Sequence, residues 1–174
     1  MEDASVRETA SRPRGRFAVR PLHAWFFVVA VAAVAADQVT KAIIRGWGEQ
    51  GEILAEFGPL RIIHVTNSGA AFGMFQDAGP LLIITSIVGM TAILVYLFNP
   101  GFAQPLMRLG LALMLGGAIG NLIDRLHAGE VVDFIKVPNF PAFNLADSCI
   151  TIGVLVMIWA MLREEAKRTD AENS

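Results

Sequence analysis

Two aspartates on either side of a short proline-rich segment are the residues of this sequence best suited to chemistry. Asp133 precedes the segment and Asp147 follows it. No other charge follows Asp147 until Arg163, so one carboxylate lies at the mouth of an apolar run of membrane-spanning length. An ionisable group in that position is costly and functional by default. Alternatively, Asp147 caps a helix that begins near Asn144, where an acid suits the helix dipole.

Two close aspartates could hydrolyse a peptide bond without a metal ion or a covalent intermediate. One carboxylate would take a proton from water while its protonated partner donates to the carbonyl oxygen. Because two neighbouring carboxylates cannot both ionise cheaply, they share one proton and supply acid and base together. Zinc and serine chemistries fit less well, since His-Glu-x-x-His and Gly-x-Ser-x-Gly motifs are both missing from the sequence. We therefore expect no metal site and no cofactor.

Four long apolar segments could position these residues in a membrane. The chain has 174 residues, of which 54% are hydrophobic, and they come in continuous runs rather than at amphipathic spacing. Residues 78–98 carry no charge at all and match the roughly 20 residues that cross a bilayer core. The other predicted spans are residues 23–45, 106–123 and 144–162. The sequence thus predicts an all-α membrane protein with four transmembrane helices.

The first apolar segment permits a second interpretation. Ala33-Val34-Ala35 could form the cleavage site of a signal peptide. However, the segment continues past this site, and Asp37, Thr40 and Lys41 would share one face of a helix. We therefore interpret it as the first transmembrane helix.

The region between the first two spans is predicted to fold outside the membrane. A β-branched run at residues 60–66 follows Gly58-Pro59, which indicates a short strand or hairpin. Residues 67–73 then form a small-residue turn that lets the backbone approach another group closely. We expect a small extracytoplasmic β-containing segment between helices 1 and 2.

The distribution of positive charge predicts the orientation of the spans. Four spans place both termini on one side, and nine of the fourteen Lys and Arg residues fall there, which marks the cytoplasm. Residues 1–22 would be a cytoplasmic basic tail, 23–162 the membrane domain and 163–174 a cytoplasmic charged tail. The basic residues are too scattered for nucleic-acid binding.

Polar residues from distant parts of the chain then meet at the extracytoplasmic membrane face. They are Asp37, Lys41, Asn67, Asn121, Asp124, Arg125, Asp133, Asn144 and Asp147. Anchoring the helices in the membrane would not require polar residues from distant spans to meet, whereas a functional site at the membrane surface would.

Five motifs, in order, resemble those of a known family. They are Asp37-Gln38-Val39-Thr40-Lys41, Asn67-Ser68-Gly69-Ala70-Ala71-Phe72, Gly116-Gly117-Ala118-Ile119-Gly120-Asn121-Leu122-Ile123-Asp124-Arg125, Val131-Val132-Asp133-Phe134 and Phe143-Asn144-Leu145-Ala146-Asp147. This set is similar to that of lipoprotein signal peptidase, the type II signal peptidase of bacteria. Only about 20 N-terminal and 12 C-terminal residues lie outside the resemblance. The segment between the two aspartates is shorter than in other members of this family. This difference affects the loop over the site and not the two aspartates themselves.

The resemblance implies a four-helix aspartic endopeptidase of the bacterial inner membrane. It would remove the signal peptide of diacylglyceryl-modified prolipoproteins, just before the lipidated Cys, with Asp133 and Asp147 as the catalytic pair. It also implies substrate-binding or supporting roles for Asp37, Lys41, Asn67, Gly69, Gly117, Asn121, Asp124, Arg125, Asn144 and Ala146. The expected partners are prolipoprotein substrates, membrane lipid and an inhibitor of the globomycin type.

Two other functions are compatible with parts of the sequence. In a small proton-coupled transporter, the aspartates would act as relay carboxylates. Transporters commonly show paired halves with broken helices near the midplane, whereas here the polar residues lie at helix ends on one face. A membrane scaffold held by glycine contacts would explain Gly116 and Gly120 but not the polar cluster.

Overall fold

The computed structural model describes residues 24–69, 79–99 and 104–172. In order, the elements of these residues are α1 (Ala24–Trp47), β1 (Ile53–Phe57), β2 (Leu60–Asn67), α2 (Gly79–Phe98), α3 (Pro105–Ala128), β3 (Val131–Lys136) and α4 (Leu145–Glu172). Some predicted features lie outside the described residues. These are the basic tail 1–22, the part of the small-residue turn from 70 to 73, and the last two residues of the charged tail.

The helices of the described residues confirm the four predicted spans. Each of α1, α2, α3 and α4 is long and apolar enough to cross a membrane, and the chain is a multi-pass membrane protein. The largest difference is that α4 continues past the predicted end at Leu162 as far as Glu172. The added part is rich in Glu, Ala, Lys and Arg, which favour helix, and Glu164 and Arg168 pair at 3.8 Å across one turn.

The central helix of the bundle is α3. It contacts α1, α2 and α4, and it is the most buried of the four spans. Small residues permit this close packing, since a Cβ atom at Gly116 would lie 2.7 Å from the Cβ atom of Ala33 on α1. The stretch considered as a cleavage site, around Ala33, is therefore in the middle of an unbroken helix that packs on α3.

One apolar cluster fills the half of the bundle towards the N-terminus of α3. It joins three helices through Phe26 and Ala30 of α1, Ile93 and Leu97 of α2, and Leu111, Ala112 and Leu115 of α3. In a bilayer such contacts stabilise the bundle through close packing, because lipid tails are as apolar as the side chains. This leaves the other end of α3 for polar residues.

A three-stranded antiparallel sheet covers that polar end. The predicted hairpin is confirmed as β1 and β2. The third strand, β3, comes from between α3 and α4 and was not predicted, so the sheet joins two loop regions of the chain in the order β1-β2-β3. Val65 lies opposite Asp133 in this pairing, which brings Asn67, two residues further on the same face, within reach of Asp133.

Candidate active site

Asp133 and Asp147 line the same cavity, which has a volume of about 550 Å³. Asp133 lies on β3, and Asp147 lies in the first turn of α4. Asn144 contacts both carboxylates, because its Nδ2 donates to Asp133 Oδ1 at 2.8 Å and its backbone N–H donates to Asp147 Oδ2 at 3.2 Å. One residue therefore ties the strand that carries the first aspartate to the helix that carries the second.

The proline-rich turn between the aspartates makes this contact possible. After β3 the chain reverses, and Ile135 and Phe143 exchange backbone hydrogen bonds of 2.8 and 3.0 Å. Asn139 takes a φ of 59°, a left-handed conformation that asparagine tolerates better than most residues. Lys136 Nζ closes the turn by donating to the Phe140 carbonyl at 2.7 Å. Asn144 is thereby returned to the side of Asp133.

Asp147 also caps α4, as the alternative interpretation of the sequence proposed. The Asp147 N–H donates to Asn144 Oδ1 at 2.9 Å, while Asp147 Oδ2 accepts the Asn144 N–H. These reciprocal bonds form a capping box. The cap occupies Oδ2, whereas Oδ1 accepts a hydrogen bond of 2.8 Å from Asn121 Nδ2. Asp147 can therefore cap α4 and line the cavity at the same time.

Asp133 is nearly inaccessible, with a relative exposure of 4%. The pKa of this carboxyl is raised to about 6, mainly by burial, and the neighbouring charge of Asp147 contributes in the same direction. Hydrogen bonds from Asn67 Nδ2, at 3.1 Å, and from Asn144 act in the opposite direction. Because burial has the largest effect, Asp133 retains a proton at a pH where an ordinary aspartate has lost it.

Asn121 connects the cavity to a buried cluster of charges behind it. Its Oδ1 accepts hydrogen bonds from Lys41 Nζ at 3.0 Å and from Asn144 Nδ2 at 3.1 Å. An amide that accepts two hydrogen bonds at oxygen must turn its NH₂ group the other way, and this group donates to Asp147. Lys41 thereby fixes the orientation of the amide that contacts Asp147.

The buried cluster consists of Lys41 between two carboxylates. Lys41 Nζ lies 2.8 Å from Asp37 Oδ2 and 2.7 Å from Asp124 Oδ2, and all three side chains are at most 2% exposed. Arg45 adds a second cation, 2.9 Å from Asp124 Oδ1. Of the four aspartates at this end of the described bundle, Asp133 and Asp147 line the cavity, whereas Asp37 and Asp124 lie behind it in ion pairs.

The same cluster anchors the start of α4. Asp37 Oδ1 accepts a hydrogen bond of 2.9 Å from the Ala146 N–H. Ala146 is fully buried against Gly117, where an added Cβ atom would collide with the Ala146 carbonyl. These positions therefore require small side chains so that α3 and α4 can meet directly below Asp147.

The remaining predicted site residues lie at the edge of the cavity. Gly69 lines it, and its N–H donates to Asn67 Oδ1 at 3.0 Å, which orients the Asn67 amide towards Asp133. Arg125 also lines the cavity, on the last turn of α3. The structure therefore brings every residue of the predicted set to one end of the bundle.

Two residues that contact the buried cluster or its neighbourhood on α3 were missed by the sequence analysis. Arg45 pairs with Asp124, and Gln38 Nε2 donates to the Gly120 carbonyl at 3.1 Å. The spacing of Asp37, Lys41 and Arg45, one helical turn apart each time, was a signal that could have identified Arg45. Gln38 carried no comparable signal, because its partner on α3 is more than eighty positions away.

An apolar wall continues the cavity towards the lipid-facing surface. Phe140, Pro141 and Phe143 of the turn and Ile150 and Ile152 of α4 line this part. Phe140 and Ile152 are each about half exposed, at 51% and 52%. Because Ile152 faces outward from a membrane-spanning helix, the cavity is open towards the bilayer. The arrangement can hold a polar backbone near the aspartates and apolar chains along the wall.

Known proteins share these features of sequence and fold. Residues 29–163 match the family model described as Signal peptidase (SPase) II. A protein of Dehalococcoides mccartyi named lipoprotein signal peptidase is 39% identical over 159 residues, which cover 86% of this chain and 96% of that protein. A protein of Staphylococcus aureus with the same name is 35% identical, over 87% of this chain and 99% of its own length. A solved bacterial membrane enzyme structure superimposes with a TM-score of 0.77 and 34% identity, covering 82% of this chain and 90% of the other.

Proposed function

The chain belongs to the signal peptidase II family and is a peptidase, and we propose that it removes the signal peptide of prolipoproteins by aspartic catalysis at Asp133 and Asp147. The observation that carries this proposal is the placement of these two carboxylates on one cavity, linked through Asn144. Asp37 and Asp124 are held in ion pairs with Lys41 and Arg45 behind the cavity, so they are poorly placed to exchange protons with a substrate. No observation favours the transporter alternative.

The proposed reaction uses one proton that the two aspartates share. Asp133 starts protonated, in keeping with its raised pKa, and donates to the carbonyl oxygen of the scissile bond. Asp147 takes a proton from a water molecule as the water oxygen attacks the carbonyl carbon. Asp147 then returns this proton to the leaving nitrogen, and Asp133 regains its own as the carbonyl re-forms. No atom of the enzyme is bonded to the substrate at any step.

The apolar wall supports a lipid-modified substrate. Acyl chains along Phe140, Phe143 and Ile152 would gain about 0.8 kcal/mol for each buried CH₂ group. This gain would hold the modified cysteine at the bilayer surface, next to the aspartates. We therefore propose that the diacylglyceryl group is required for cleavage, and that a globomycin-type cyclic peptide inhibits by occupying the same cavity.

A cleavage assay with matched substrates tests this proposal. Purified protein should cleave a diacylglyceryl-modified precursor at least about 100-fold faster than the same precursor with an unmodified Cys. This factor corresponds to burial of only a few CH₂ groups. A chelator should leave the rate unchanged, and globomycin should inhibit. Equal cleavage of both precursors would contradict the lipid requirement, and loss of activity in the chelator would contradict metal-free aspartic catalysis.

The pH dependence of the reaction should report the protonation of Asp133. Because this group must donate a proton, kcat/KM should fall as the pH rises above about 6, approaching a tenfold loss per pH unit. Below its pKa Asp133 keeps its proton, so its titration should not change kcat/KM there. The measurement is kcat/KM in detergent micelles between pH 5 and 8. A constant value across this range would show that no group with a pKa near 6 acts as the acid.

We also propose that the aspartates act at the extracytoplasmic face, with both tails in the cytoplasm. Asp133, Asp147 and the sheet lie at the opposite end of α3 from Arg108, and Arg163 and Arg168 lie towards the end of α4 that is remote from Asp147. Reporter fusions after Asn99 and Arg168 should therefore report a cytoplasmic location. Fusions after Gly51 and Ala128 should report the outside, and the reverse pattern would overturn the orientation.

A further inference from the structure

Arg108, in the first turns of α3, is a buried cation that the proposed reaction does not use. Its relative exposure is 5%, and within the described part of the chain its Nε is buried without a hydrogen-bond partner. Among the ion pairs of the described residues, none includes Arg108. A buried guanidinium N–H without an acceptor is costly inside a membrane protein, because nothing replaces the hydrogen bond that it made to water. An anion bound at this position would supply the missing acceptor.

The N-terminus of α3, next to Arg108, provides further donors for such an anion. Gln104 is the N-cap residue but makes no side-chain capping bond, and Pro105 follows it at the first helical position. The Arg108 N–H makes the first helical bond, to the Gln104 carbonyl at 3.1 Å, so helix geometry leaves the N–H groups of Leu106 and Met107 without an intrahelical acceptor. Helical side chains point back towards the helix N-terminus, which aims Arg108 at the same place.

We propose that Arg108 and the N-terminus of α3 form a phosphate-binding site. Helix N-termini bind phosphate through free N–H groups and the helix dipole, and a guanidinium binds phosphate oxygens through a planar pair of donors. The site lies at the membrane-surface end of a spanning helix, at the depth of phospholipid headgroups. The phosphate of a membrane phospholipid and free inorganic phosphate share this chemistry.

This site is distinct from the cavity that holds the aspartates. At 1.5 Å per residue, Asn121 lies about 20 Å further along α3 than Arg108. Between them lies the apolar cluster of Leu111, Ala112 and Leu115 with residues of α1 and α2. Occupation of the site would therefore stabilise the junction of three helices without touching the cleavage chemistry.

Thermal unfolding in a neutral detergent tests the proposal with three additives. They are dioctanoyl phosphatidylglycerol, dioctanoylglycerol, which has the same chains but no phosphate, and inorganic phosphate at matched ionic strength. The phospholipid should raise Tm by several degrees in a saturable manner, and dioctanoylglycerol should not. If inorganic phosphate produces the full shift, the site binds phosphate from solution. If only the phospholipid does, the ligand is a lipid headgroup.

Arg108→Gln should weaken the apparent affinity for the phosphate-bearing ligand at least tenfold and leave the cleavage rate unchanged. The matched control is Arg163→Gln, which removes an equal charge from an exposed residue that stacks on Trp159 at 4.7 Å. This variant should bind like the wild type. If Arg108→Gln kept the wild-type shift, or lost it no more than Arg163→Gln, the proposal would be overturned.

Hydrogen exchange on the wild type provides a test that does not depend on a folded variant. Phosphate-bearing ligand should slow exchange at the amides of Leu106 and Met107, since these groups would donate to it. Dioctanoylglycerol should not have this effect. Protection confined to other parts of the chain would place the ligand elsewhere and refute the assignment.

Discussion

Asp133→Asn and Asp147→Asn should each reduce the cleavage rate by at least about 1000-fold while the protein remains folded. Asparagine preserves the size of the side chain, but it can neither give up nor take up a proton near neutral pH. A positioned acid or base contributes about 100- to 10,000-fold to a reaction, and the two groups of this dyad act as one unit. The measurement is the single-turnover rate on a lipidated precursor, with globomycin binding as the assay of folding.

The effect of Asp133→Asn on stability should have a characteristic sign. The pKa of Asp133 is raised in the folded protein, so its stabilising contribution is complete below the unfolded pKa and is lost as the pH rises from about 4 through about 6. The asparagine of the variant cannot titrate, so the variant should lack this loss. Unfolding of wild type and variant at pH 5 and pH 8 measures the difference, and equal pH dependence in both would contradict the burial of an ionisable group at this position.

The ion-paired aspartates serve as controls for the dyad. Asp124→Asn and Asp37→Asn remove a partner of Lys41 but leave the second one in place. We expect partial activity and a loss of stability of about 1.5–3 kcal/mol, typical of hydrogen bonds to charged groups. If Asp147→Asn kept a near wild-type rate while Asp124→Asn were inactive but well folded, the dyad would have to be reassigned to Asp124 and Asp133.

Lys41→Met should be the most destabilising single substitution in the buried cluster, with a loss of about 3–5 kcal/mol. The change leaves Asp37 and Asp124 buried without the cation that lies 2.8 and 2.7 Å from them. It also removes one of the two donors to Asn121 Oδ1, so the amide that contacts Asp147 is free to turn. The remaining folded fraction should therefore be less active as well. Reversible unfolding and the rate per folded molecule measure the two effects.

Two comparison variants separate burial from charge in this prediction. Arg61→Gln breaks an ion pair with Glu56 of the same length, 2.8 Å, but both partners are more than half exposed, so stability should change little. The triple substitution Lys41→Met, Asp37→Asn and Asp124→Asn should recover part of the lost stability, because no unpaired charge remains buried. A triple variant as unstable as Lys41→Met would show that the loss comes from packing rather than from unpaired carboxylates.

Local features of the sequence were sufficient to predict the spans and the polar residues that meet at one end of the bundle. An uncharged run such as residues 78–98 can form all its backbone hydrogen bonds in lipid only as a helix, so its structure follows from composition alone. Asp37 and Lys41, at a spacing of four on one helix, had to share a face, and the structure pairs them at 2.8 Å. Likewise, the cap that Asp147 was considered to form on the helix beginning near Asn144 is present, because it depends on residues within one turn.

Tertiary structure alone decided which polar residues of different helices and strands contact each other. The strand β3 pairs with β2 from a remote part of the chain, and the sequence between the aspartates indicated only a turn. Nothing local distinguishes Asp124, which lies in a strong motif, from Asp147. Only the packing of α1 on α3 puts Lys41 against Asp124, and only the return of the turn puts Asn144 against Asp133. Such contacts depend on the relative placement of distant elements, which local periodicity and charge do not encode, because each helix would form in the membrane whatever its neighbours.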